Sequence, residues 1–96
     1  MLDHNQKRIG DLIKSLIKEL GLEEKLNEAK IFAVWEKKMG PSIKKHTKKI
    51  TLKKSTVTIY LDSPVLRQEF LYEKTSLIKM FNEELGFEGV KDVVLR

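Results

Sequence analysis

The spacing of apolar residues changes at Lys48, and that change decides which folds the chain can adopt. Before it, Ile9, Leu12, Ile13, Leu16, Ile17 and Leu20 recur every three or four residues, one stripe of an amphipathic helix. After it, Ile50 and Leu52 alternate with Lys49, Thr51 and Lys53. Beyond a turn at Lys54-Ser55, Val57, Ile59 and Leu61 alternate with Thr56, Thr58 and Tyr60. That is a β-hairpin with one apolar and one polar face. The helical period then returns in Leu66, Phe70, Leu77, Ile78, Phe81 and Leu85, and Val90–Leu95 reads as a last short strand. The resulting class is α+β, in the order ααββα(α)β, with helices packed on one face of a small three-stranded sheet.

Local signals set the boundaries. Asp3 with Gln6 offers a capping-box-like start to the first helix, and Gly21 a left-handed stop onto which Leu22 folds back. A second helix is predicted from Glu23 to Met39, burying Leu26, Ala29 and Ala33, with Ile31, Phe32, Trp35 and Met39 as further candidates. Gly40-Pro41 ends it, and Ser42–His46 can add one turn. Ser63-Pro64 is a hydroxyl cap followed by proline, a helix start. The polar run Glu73–Ser76 interrupts the following stripe, which allows a kink or a break into two helices there. Gly86 stops the last helix, with Phe87 expected to pack back on its final turn. Residues 1–96 read as a single domain, residues 1–21 being its N-terminal amphipathic helix.

Catalytic signatures are missing. There is no cysteine, the two histidines are His4 and His46 with no ligand pattern around them, and no metalloprotease, phosphate-loop or nucleophile-elbow motif occurs. The expectation is a protein that is not an enzyme and uses no cofactor and no metal. The lack of an apolar span or leader points to a cytoplasmic molecule with no membrane partner. Gly86-Phe87-Glu88-Gly89 matches the letters of a phosphate-clamping GxxG, but it follows a helix and precedes a strand, and Glu88 would repel phosphate. A helix stop plus a turn accounts for both glycines.

Charge carries the functional signal. From Lys37 to Leu61 there are eight lysines and no acidic residue, enough to account for more than the whole net charge of +5. A directed positive field of this kind attracts polyanions. The candidate nucleic-acid contacts are Lys44, Lys45, Lys48 and Lys49 at the helix-to-strand junction, then Lys53 and Lys54 at the hairpin tip. His46 and Thr47 can add neutral hydrogen bonds, and Tyr60 can stack on a base or pack across the strand. Trp35 reads as a core anchor. Lysine rather than arginine favours point-charge contacts with little sequence preference.

The segment from Val34-Trp35 through Gly40-Pro41 to His46-Thr47 resembles the pattern of the bacterial DciA family. So do the hairpin running into Asp62-Ser63, the helix with Leu66-Arg67-Gln68-Glu69-Phe70, the Asn82…Leu85-Gly86 helix end, and the strand Val90–Arg96. The resemblance covers Leu22 to Arg96. It implies a KH-like domain without the clamping GxxG, a role in DNA replication, and single-stranded DNA and the replicative helicase as partners. Two alternatives stay open: an RNA-binding, ribosome-associated module, and a protein-interaction domain docking an acidic partner. Homo-oligomerisation is undecided, although exposed apolar positions on the first helix (Leu12 or Ile17) would suit a partner or a second copy.

Overall fold

A computed structural model describes the backbone of residues 2–96 and the side chains from residue 8 onward. The elements are α1 (Leu2–Glu19), α2 (Glu23–His46), β1 (Thr47–Lys53), β2 (Thr56–Leu61), α3 (Pro64–Leu71), α4 (Lys74–Leu85) and β3 (Asp92–Leu95). The α+β order is the expected one. The Asp3–Gln6 capping pair lies outside the described side chains.

The sheet has β2 in the middle, antiparallel to β1 and parallel to β3. Lys54 and Ser55 both take positive φ, the left-handed pair of a tight hairpin turn. Ile50, Leu52, Val57, Ile59, Leu61 and Val93 point to one face, where they meet Ile31, Val34 and Trp35 of α2 and Leu77, Phe81 and Leu85 of α4. Burying a large aliphatic or aromatic side chain of this kind contributes about 1.5–3 kcal/mol, so this layer is the main source of stability. Trp35 is fully buried, its ring centroid 5.1 Å from Phe70 and 6.3 Å from Phe81.

Caps appear where expected. Leu22 N donates to Ile17 O and Gly21 N to Lys18 O, the paired bonds of a Schellman ending. The Ser63 hydroxyl accepts from Leu66 N at 3.3 Å. Gly86 takes φ 81° at the end of α4. Asn82 grips the following loop, its amide donating to Val90 O and its carbonyl accepting from Val90 N. The predicted interruption separates α3 from α4 at Tyr72-Glu73, and no GxxG stands at that helix–helix junction.

The first segment of α2 ends where expected: Gly40 (φ 80°, ψ 178°) is non-helical, and Pro41 starts the further turn that runs to His46. The buried side of this helix is a correction. Its buried face is Ile31, Val34 and Trp35, whereas Leu26, Ala29, Phe32 and Ala33 are exposed. Both faces of α2 carry apolar residues, so spacing alone left the phase open. The sheet packs on the face that carries Ile31, Val34 and Trp35, and the bulky side with tryptophan wins. Phe87 lies beside Ile78 and Asn82 of α4 but stays 52% exposed, and it also lines a groove with Leu26 and Ile17. α1 itself makes no extended packing contact with the other elements.

Candidate nucleic-acid interface

The last turn of α2 runs directly into β1, so the cations of the middle segment follow a line. Lys44 and Lys45 end the helix, Lys48 and Lys49 begin the strand, and Lys53 and Lys54 lie at its far end. At ~3.3 Å per strand residue, Lys49 and Lys53 stand about 13 Å apart along the strand. At the near end the pairing slips between Thr47 and Lys49, leaving Lys48 as the extra residue of a bulge. The bulge resets the alternation so that Thr47 pairs with inward-facing Leu61, while Lys49 alternates with Ile50 onto the outer face of the sheet. Cross-strand register then builds that face in rows: Lys49 opposite Tyr60, Thr51 opposite Thr58, and Lys53 opposite Thr56. Arg96 N donates to Ile59 O and Leu61 N to Arg96 O, which aligns Arg96 with Tyr60 from the β3 side. One row of the outer face is therefore Lys49, Tyr60, Arg96. Lys49 Nζ stands 5.2 Å from the centroid of the Tyr60 ring, close enough for a cation–π contact.

Folding also supplies acids that the lysine segment lacks in sequence. Lys44 Nζ lies 2.6 Å from Glu36 Oε2, and Lys48 Nζ 3.3 Å from Asp62 Oδ2. Among the described residues, Lys45, Lys49, Lys53 and Lys54 have no carboxylate within ion-pair distance. Glu28 and Glu24 approach the strand differently: their Oε2 atoms accept from Leu52 N at 2.9 Å and Lys54 N at 3.1 Å. One amide on the free edge of β1 and one in the hairpin turn are thus satisfied by α2.

A family model described as Dna[CI] antecedent, DciA, matches residues 8–95. The chain belongs to the DciA family. No curated protein and no solved structure gave a match. The matched span of this DciA-family chain begins within α1, earlier than the Leu22 start of the resemblance seen in the sequence.

Several residues that carry the DciA resemblance hold the frame on which the lysines sit. Trp35 Nε1 donates to Thr47 Oγ1 at 3.0 Å, and the Thr47 hydroxyl donates to Ile43 O at 2.8 Å. Helix end, strand start and core are fastened at one hydroxyl. Neighbouring His46 donates from Nδ1 to Asp62 Oδ1 at 2.7 Å, while Asp62 N donates to His46 O at 2.9 Å. The hydrogen bond from His46, with a second from Lys48, holds the Asp62 carboxyl below its ordinary value. Arg67 of α3 donates to Leu61 O, one residue before this clasp. Gly40 supplies a backbone conformation that is essentially restricted to glycine.

The candidate residues therefore divide by geometry. Lys49, Lys53 and Tyr60 share the outer face, with Lys54 at its hairpin end. Lys45 projects from the junction. Lys44, His46 and Lys48 are engaged with acids, and Thr47 with Trp35. Sequence reading passed over Arg96, Asp62 and the pair Glu24/Glu28. Arg96 was accessible to it, because the alternation through Asp92 and Val94 places it on the outer face. Nothing local announced that the glutamates of α2 would reach β1.

Proposed function

We propose that this DciA-family chain is a non-enzymatic adaptor of bacterial DNA replication that holds single-stranded DNA along β1 and hands it to the replicative helicase. Family membership supports the replication setting. The row of lysines without carboxylate partners beside Tyr60 carries the binding reading. Lys49 and Lys53 on β1, with Lys45 before the strand and Lys54 after it, contact phosphates along the hairpin, whose first strand is ~20 Å long, a length suited to a few nucleotides of unpaired strand. Arg96 adds a fifth cation from the other side of Tyr60. Point-charge contacts to phosphate give affinity with little sequence preference.

The test is a salt titration with a short oligodeoxynucleotide. Four neutralised phosphates on a single strand give a slope of log affinity against log salt near −3. Changing Lys45, Lys49, Lys53 and Lys54 together to glutamine should remove most of that slope while thermal unfolding stays unchanged. An unaltered slope refutes the assignment. Matched RNA bound as tightly as DNA favours the RNA-binding alternative. Retention of the helicase in nuclease-treated pull-downs tests the second half of the proposal.

A further inference from the structure

We infer that α1 is the interface between two copies of this chain, paired antiparallel about a twofold axis that passes between Lys14 and Ser15. The first observation is exposure. Ile9 is 57% exposed, Leu12 68%, Ile13 52%, Leu16 53% and Leu20 61%. At about 100° per residue these five side chains, with the partly covered Ile17, occupy one arc of roughly 140° on the helix. An apolar arc of this width is the face by which a helix packs on something. An isolated helix of this length is marginal in water, and Gly10 within it weakens it further.

The occupant follows from the pattern. Reversing the helix about its midpoint exchanges Ile9 with Leu20, Leu12 with Ile17 and Ile13 with Leu16. The face is thus complementary to a reversed copy of itself, as a twofold interface requires. Charge is compatible with the same sense: Arg8 and Glu19 lie on one flank of the arc, and antiparallel pairing sets Arg8 of each copy near Glu19 of the other. The packing permits it, because α1 has no extended contact with the other elements and an antiparallel pair sets the two bodies at opposite ends. At the body end the apolar surface runs on into a groove of about 540 Å³ that includes Ile17, Leu26 and Phe87. Five side chains rather more than half exposed amount to roughly 500 Å² per copy, so a symmetric pair removes about 1,000 Å², the lower bound for a specific interface.

Sedimentation equilibrium of the full chain from low micromolar to several hundred micromolar should show a reversible monomer–dimer equilibrium. The double change Ile13→Glu and Leu16→Glu should weaken dimerisation at least a hundredfold, with the fluorescence and thermal transition of buried Trp35 unchanged. Since the chain has no native cysteine, orientation is read by cross-linking. Ile9→Cys chains mixed with Leu20→Cys chains should form the mixed disulfide under mild oxidation. Ile9→Cys chains alone should not, because antiparallel pairing separates the two residues by about 16 Å along the axis, beyond disulfide reach. A strictly monomeric chain, a dimer that survives the double glutamate change, or efficient self-cross-linking of Ile9→Cys each overturns the inference. A monomer that binds lipid vesicles or the helicase through α1 overturns it in favour of that other occupant.

Discussion

Thr47→Val separates a frame residue from a phosphate contact. Valine keeps the shape of threonine but removes the hydroxyl that accepts from Trp35 Nε1 and donates to Ile43 O. Trp35 is 0% exposed, so water does not replace the lost acceptor. Leaving a buried donor unpaired costs about 1–3 kcal/mol, and losing the bond to the Ile43 carbonyl costs about 0.5–1.5 kcal/mol more. A loss of about 2–4 kcal/mol is a large fraction of the ~5–15 kcal/mol stability of a native domain. It corresponds to a fall of roughly 10–25 °C in Tm for a chain of this size. Urea denaturation followed by Trp35 fluorescence measures it directly. Thr47→Ser, which retains the hydroxyl, should recover most of the difference. DNA affinity of Thr47→Val, measured in the cold where it is folded, should match the parent within a factor of two. A variant as stable as the parent, or one that stays folded but loses DNA, refutes the reasoning.

Two further outcomes follow from the same frame. The folded-state pKa of Asp62 lies below the unfolded value, so the stabilisation from its clasp with His46 and Lys48 is fully present above about pH 3.8 and is lost as pH falls through the depressed native value. Asp62→Asn should therefore flatten the acid limb of the stability curve below pH 4, and an unchanged limb in that variant would count against the clasp. Gly40→Ala should cost about 1–3 kcal/mol through backbone strain alone, because an added Cβ meets nothing within 4 Å; chemical denaturation checks this, and a neutral result would contradict the observed kink.

The sequence was most informative where one rule acted alone. Alternation in Ile50–Leu61 fixed the hairpin faces, Ser63-Pro64 fixed a helix start, and Gly86 fixed a helix end. It failed where two solutions satisfied the same rule. α2 carries apolar residues on both Leu26 and Ile31 faces, and only the position of the sheet chooses between them. The lysine segment shows a parallel limit. Its lack of acids is a fact of local sequence, yet Glu36 and Asp62 arrive through helix geometry and through the antiparallel return of β2. Arg96 and the β3 pairing that aligns it with Tyr60 are long-range outcomes that no single window of sequence contains.

The two α2 glutamates that accept from Leu52 N and Lys54 N have a consequence for how any ligand approaches. With those amides already satisfied, the outer rim of the hairpin offers a poor template for an incoming strand. Runaway sheet growth, a hazard for a short sheet rich in threonine and valine, is discouraged at that rim. A polyanion is steered instead to the broad side of the hairpin, where the ammonium groups stand and strand register sets their spacing.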